Sequence, residues 1–384
     1  MSRFFDLVSK PVRNMGGYSP GMPLQTVAPQ IQQKLIKLDS NENPFGPSPR
    51  AVEAMRHALA ISSAYPDDDC APLRHKLAEH HGLQPQQVMV TAGSTALVGL
   101  LCQTLLAAGL NAVTSQRSFI VYSLAVSATG ASLVETPMAN DVFDLDAILE
   151  AIDENTRIVF LANPNNPTGT LVEVGIVDNF LARLPGHVIL VLDEAYYEFA
   201  MHFSSLRGTA HSKSLDYVRQ GASIVVLRTF SKAHGLAGLR IGYGLGPPEL
   251  LTYCARMRNT FSVSSVAQAA AMAAIDDQGH IRRVVTNNAD QALVLTDALS
   301  KFGCRVVQTS TNFLYCDLGE DASIVARRFE DEGVSVRPLG AWGAPNCMRV
   351  TIGTPEQNQF FLGAFQKIVG HNRAEQIALN SNRT

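Results

Sequence analysis

With 384 residues, 46% of them hydrophobic and 17% charged, the chain has the composition of a globular protein with ample core. That length predicts about two domains. A formal net charge of −3 excludes nucleic-acid or anionic-membrane partners held by bulk electrostatics.

The N-terminal run MSRFFDLVSKPVRNM is interrupted by Asp6, Ser9 and Lys10, so no signal-peptide core forms. Residues 1–40, rich in proline and glycine, read as an arm that contributes to a small domain and to dimer contacts. The loop LDSNENPFGPSP (Leu38–Pro49) follows, then a helix predicted from Arg50 to about Ala60. Tyr65-Pro66-Asp67-Asp68-Asp69 reads as a solvated turn and helix cap. The longest apolar region, Leu97–Val113, is broken by Gln103, Thr104, Gly109 and Asn111 and falls short of a membrane span.

From Val88 onward the pattern alternates. Strands are predicted at Val88–Val90, Arg157–Leu161, Val188–Leu192 and Ile224–Leu227, with helices near Ala96–Ala107 and Val172–Leu184. Continuous Val/Ile/Leu runs separated by helices imply an α/β fold, a three-layer mixed and mostly parallel sheet. A long helical region, Pro248–Leu299, leads to a smaller α+β domain. Strands are predicted there near Asn312–Asp317, Val334–Val336 and Met348–Ile352, and helices at Ser323–Glu332 and Pro355–Val369. The domains are set at 41–285 and 286–384, and the polar tail HNRAEQIALNSNRT is expected to fray. Six cysteines (Cys70, Cys102, Cys254, Cys304, Cys316, Cys347) carry no CxxC spacing. They read as reduced thiols of a cytoplasmic protein, with no metal site.

Each predicted strand ends in polar residues, the edge at which open α/β sheets bind ligands. Lys232 follows a buried strand among hydroxyls, where its amine loses hydration and becomes nucleophilic. Arg240 adds a planar clamp for an anionic oxygen cluster. A lysine nucleophile with a phosphate clamp suits pyridoxal phosphate, although alone the pair fits a surface lysine equally well. Gly93-Ser94-Thr95 supplies a glycine, two hydroxyls and backbone N–H groups at a helix start, a phosphate seat or a plain cap. Asp193 ends a buried strand and needs a partner, which a protonated ring nitrogen or the next helix could supply.

Three segments carry a resemblance: NPNNPTG (Asn163–Gly169), DEAYYEF (Asp193–Phe199) and TFSKAHGLAGLRIGYG (Thr229–Gly244). They resemble the signatures of fold-type I pyridoxal-phosphate aminotransferases. LDSNENPFGPSP, YPD at Tyr65–Asp67, FSVSSVAQAAAMAAI (Phe261–Ile275), SVRPL (Ser335–Leu339) and MRVTIGT (Met348–Thr354) are similar to the histidinol-phosphate aminotransferase-like branch. The resemblance spans roughly residues 10–370 and implies roles position by position. Lys232 attaches the cofactor and moves the proton, Asp193 binds its ring nitrogen, and Tyr196 and Asn166 hold its ring oxygen. Gly93, Ser94, Thr95, Ser231 and Arg240 bind its phosphate, with Thr229 a further candidate. Tyr65 reaches the neighbouring subunit's phosphate, implying a homodimer with shared sites.

Phe119 is the implied stacking aromatic, with Tyr122 the competitor, because Gln116–Tyr122 lacks the family's usual proline. Arg349 takes the substrate carboxylate or its equivalent, and Tyr18, Asn43 and Arg337 line the substrate side. The implied reaction is ping-pong transfer from histidinol phosphate or an aromatic amino acid to 2-oxoglutarate. A phosphoamino-acid decarboxylase on the same cage, and a non-catalytic sensing module, are the alternatives. Such sensors carry a DNA-binding segment, and no helix-turn-helix pattern precedes Leu38.

Overall fold

Strands in which every residue is buried belong to a sheet covered on both faces. Val88–Thr91, Asn111–Ser115 and Ile224–Thr229 are of this kind. The computed structural model describes residues 4–13, 15 and 35–381, with side chains to residue 368 in the last helix. It places these strands in a seven-stranded sheet ordered Val88–Thr91, Gly242–Leu245, Ile224–Thr229, Ile189–Asp193, Thr156–Ala162, Asn111–Ser115, Ser132–Thr136. Gly242–Leu245 runs antiparallel to both its neighbours, and the other pairings are parallel. The mixed, mostly parallel sheet expected from the sequence is present, with three strands that the apolar runs did not reveal.

Helices start where capping chemistry permits. Ser48 accepts the Ala51 N–H with Pro49 in the first turn, and Ser264 does the same for Ala267. Asp67 takes the N–H of Ala71 at 2.7 Å and so caps Ala71–His81. Asp68 and Asp69 are not merely solvated, because both pair with Arg258, at 3.0 and 3.2 Å.

A second sheet of four strands joins Arg305–Val306, Phe313–Asp317, Ala344–Thr351 and Arg337–Leu339. Ile36–Lys37 pairs with Val334–Ser335, and Leu38 enters the core of this region beside Val334, Val350 and Phe361. A division at 285/286 falls inside the single helix Gln278–Lys301. Its Ile281, Val284 and Val285 pack with Tyr196 and Phe199, whereas Ala289, Ala292, Leu295 and Leu299 pack with the second core. The predicted helical stretch Pro248–Leu299 is three helices, and the last helix runs Pro355–Ser381, into the tail expected to fray. Among the described residues all six cysteines are free, and no helix is long and apolar enough to cross a membrane.

Candidate active site

Sheet register decides which side chains meet. Ala162 pairs with Asp193, and Asp193 with Leu227, so the parallel strands end together. The antiparallel strand starts at that same edge, with Gly242 opposite both Thr91 and Thr229. This brings Arg240, two residues before Gly242, beside the Gly93–Thr95 turn. A cavity of about 380 Å³ opens there, lined by Ser94, Thr95, Phe119, Asn166, Asp193, Tyr196, Thr229, Ser231, Lys232 and Arg240 on one side. Asp39, Asn41, Arg337, Trp342 and Arg349 complete it.

The phosphate-sized end depends on two glycines. Gly93 has φ +84°, and a Cβ there would stand 2.7 Å from an Arg240 guanidinium nitrogen. A Cβ on Gly242 would stand 2.5 Å from the Ser94 nitrogen. Without these side chains, a guanidinium, two hydroxyls and the start of the 12-residue helix Ser94–Leu105 share one corner. No side chain caps that helix start, so its N–H groups and dipole are available to an anion. Thr229 donates to Ser231 Oγ at 3.0 Å, which fixes the hydroxyls beside Lys232.

The cavity also holds an amine and a carboxyl, Lys232 and Asp193. Lys232 Nζ donates to the carbonyls of Ser40 and Asn41, both at 3.3 Å. Its tip opens on the cavity while protein crowds the rest of it. Burial, reinforced by Arg349 and Arg240 and opposed by Glu42, lowers its pKa to about 7. Asp193 is buried, and burial raises its carboxyl to about 6 despite a hydrogen bond from Tyr122 Oη (2.9 Å) and one from the Ala195 N–H (3.1 Å). A cation placed against Asp193 would restore its ionised form.

Several side chains take places other than those expected. Tyr122 does not compete for the cavity wall. It is buried, stacked on Phe160 at 4.5 Å, and supports Asp193 from behind, which leaves Phe119 as the lining aromatic. Asn43, expected on the substrate side, is enclosed, because its amide donates to the Ala233 carbonyl and accepts from the Phe45 N–H. Of the two asparagines in this loop the one that lines the cavity is Asn41, which donates to Tyr196 Oη at 2.9 Å and is held by Thr351. Backbone direction in the Asn-Glu-Asn run decides between the two, and spacing alone carries no such signal. Trp342 also lines the cavity. Its indole donates to the Ser118 carbonyl, and Arg337 lies 5.4 Å over its ring. Arg349 donates to Asn166 Oδ1 (2.6 Å) and to the Asp39 carbonyl (2.7 Å), joining the two sides of the cavity. Tyr65 is 82% exposed, stacks on Phe261 and does not line its own chain's cavity. Tyr18 lies outside the described residues.

The cavity can accept an electrophile at Lys232, a protonated nitrogen at Asp193 and an anion at the Gly93–Arg240 corner. Pyridoxal phosphate offers all three, and the sheet and cavity define a pyridoxal-phosphate-dependent enzyme. The family described as aminotransferase class I and II matches residues 33–365. Histidinol-phosphate aminotransferase 2 of Pseudomonas aeruginosa is 40% identical over 97% of this chain and all of its own length. The histidinol-phosphate aminotransferase of Akkermansia muciniphila is 39% identical, covering 90% of this chain and 94% of that protein. Among solved structures, histidinol-phosphate aminotransferase from Sinorhizobium meliloti, in complex with pyridoxal-5'-phosphate, superposes with a TM-score of 0.83. It is 31% identical and covers 93% of this chain and all of that one. The chain belongs to the class I and II aminotransferases and is a pyridoxal-phosphate-dependent transaminase.

Proposed function

We propose that this transaminase moves the amino group of histidinol phosphate to 2-oxoglutarate in a ping-pong cycle. The observation that carries the reading is the depressed Lys232 amine in one cavity with Asp193 on one side and Arg337 and Arg349 on the other. Pyridoxal phosphate, when bound, supplies the electron sink for breaking the donor's α C–H bond. Lys232 Nζ accepts that proton and returns it later, for which a pKa near the working pH suits it. Asp193 holds a proton on the ring nitrogen, and Tyr122 and the Ala195 N–H keep its carboxylate oriented. Tyr196 and Asn166 direct polar atoms at the ring oxygen. Ser94, Thr95, Ser231, Thr229 and Arg240 hold the phosphate, and Gly93 gives it room. Arg337 and Arg349 take the donor's anionic group, as forks suited to phosphate or carboxylate oxygens.

The wall formed by Phe119, Ile120 and Trp342 favours a second reading, an aromatic amino-acid donor. Steady-state rates with 2-oxoglutarate decide between them. kcat/KM for histidinol phosphate is expected to exceed that for phenylalanine by at least about 10²-fold, because a site built for polar groups rejects analogues lacking them. The reverse preference assigns the aromatic donor. Carbon dioxide release without any need for a keto acid would instead assign the decarboxylase.

The exposed Tyr65–Phe261 stack lies in a region where Leu59, Ile61 and Met257 are also exposed, an apolar surface that a second copy of the chain would cover. In the proposed homodimer Tyr65 completes the neighbour's phosphate site. Tyr65→Ala and Lys232→Ala proteins, each poorly active alone, are then expected to regain activity when unfolded and refolded together. One site of each hybrid dimer has both residues intact. No recovery from hybrids shown to form would remove Tyr65 from the partner's site.

A further inference from the structure

Arg117 follows the strand Asn111–Ser115 and immediately precedes the cavity wall Ser118–Ile120. The structure turns its guanidinium onto Asp141. Asn140 and Asp141 form the two-residue turn between Met138–Ala139 and Val142–Phe143, and both have positive φ (+51° and +64°), as the tightest hairpin turns require. That turn presents a carboxylate with only 8% of its side chain exposed. One of its oxygens accepts from Arg117 Nη1 at 2.8 Å, and the other from Arg305 Nη1 at 2.7 Å. Arg305 opens the four-stranded sheet, and Arg117 also reaches Tyr315 of that sheet at 3.5 Å. The backbone carbonyl of Asp141 is itself held by Thr170 Oγ1 at 2.7 Å.

The same short segment is tied at Arg117 and at Ser118. The Arg117 carbonyl accepts from Asn165 Nδ2 (3.0 Å), Ser118 Oγ donates to Asn165 Oδ1 (3.1 Å), and the Ser118 carbonyl accepts from Trp342 (2.9 Å). Arg117 has φ +51°, a conformation that a non-glycine residue keeps only when its surroundings impose it. These ties impose it. Two of them, through Asp141 and through Trp342, run to the four-stranded sheet. We infer that Asp141 is a positioning residue for substrate binding: a carboxylate clamp between Arg117 and Arg305 that fixes the Ser118–Ile120 wall against the four-stranded sheet. Asp141 touches neither substrate nor cofactor, and no residue of the clamp lines the cavity. The clamp does for this wall what a rigid proline would do by backbone restriction. Its loss therefore weakens substrate binding while Lys232, Asp193 and the phosphate corner stay as they are.

This inference rests on the aminotransferase reading of the cavity, and its test is independent of which donor is used. Arg305→Gln, Asp141→Asn and the double variant are assayed as holoenzymes with histidinol phosphate, and with glutamate in the half-reaction followed by cofactor absorbance. Each single variant is expected to raise KM, or the glutamate half-saturation concentration, about tenfold with kcat within twofold of the parent. That is an order of magnitude below the roughly 10²-fold that a 1 Å misplacement can cost. The double variant is expected to be no worse than Asp141→Asn alone. Half-saturation within twofold of the parent in Arg305→Gln would overturn the clamp, as would a parallel loss of kcat, which marks general loosening. Arg305 is half-exposed, so its variant remains a test if Asp141→Asn does not fold. A parent enzyme inert towards histidinol phosphate but active with glutamate would refute the donor assignment and leave the clamp test standing.

Discussion

Lys232→Ala is expected to lower kcat by at least about 10²–10⁴-fold, the range for loss of a positioned acid–base group. In the cofactor-free parent, an amine-acylating reagent is expected to label Lys232 at a rate that climbs with pH through about 7. Ordinary surface lysines, with pKa values near 10.4, would still be almost unreactive there. Burial is the main cause, and the positive charges of Arg349 and Arg240 act in the same direction. The shift also has a stability consequence. Between about pH 7 and 10.5 the unfolded chain carries a proton on this amine that the folded chain does not. Stability of the cofactor-free protein therefore rises with pH across that window, and Lys232→Ala removes this part of the slope. Peptide mass spectrometry after timed labelling reads the midpoint directly. A midpoint near 10 would mean that the amine is solvated, and the proton-transfer role would lose its physical basis.

The second large effect is expected from Glu194, next to Asp193. Its side chain and that of Arg228 are 1% and 3% exposed and meet at 2.8 Å. Ser212 and Ser214 donate to the carboxylate, and the guanidinium lies 3.4 Å over the ring of Tyr197. Burial opposes the charge on Arg228, yet Glu194 holds its pKa above the usual arginine value. Removing one partner strands the other in a dry interior, so Glu194→Ala is expected to cost about 3–5 kcal/mol of unfolding free energy. Urea unfolding at a fixed excess of cofactor measures it. The double replacement Glu194→Gln with Arg228→Met is expected to recover much of the loss, since no unpaired charge remains. A cost below about 1 kcal/mol for Glu194→Ala would place the pair among ordinary surface ion pairs.

Legibility in the sequence followed chemistry more closely than shape. Strands buried on both faces show as unbroken Val/Ile/Leu runs, and Thr156–Ala162 and Ile224–Thr229 were readable for that reason. Asn111–Ser115 and Ser132–Thr136 carry polar residues that only tertiary pairing brings into a sheet. Gly242–Leu245 was hidden by its glycines. A Cβ on Gly244 would meet Leu97 at 2.1 Å, so close packing outweighs strand propensity there. Lys232, Asp193 and Asn166 were readable because each follows or ends a strand with a group that the core does not need, and Arg240 because it leads into a glycine-rich strand. Asn41 and the support of Asp193 by Tyr122 were not, because both depend on which way a loop faces after folding. The Arg117–Asp141–Arg305 arrangement joins residues far apart in the chain, and no local pattern announces it.

The antiparallel strand also sets an order on synthesis. Within its sheet Val88–Thr91 has one neighbour, Gly242–Leu245, which pairs Val88 with Leu245. As the chain emerges from the ribosome, the first strand of the sheet must wait with both edges open until the last has been made. Pairing of such distant segments is slow, and an open strand edge is a template for association with other chains. The Gly93–Thr95 turn and Arg240 lie on the two sides of that late pairing. A nascent chain can hold no phosphate between them until the strand Gly242–Leu245 has threaded between Val88–Thr91 and Ile224–Thr229.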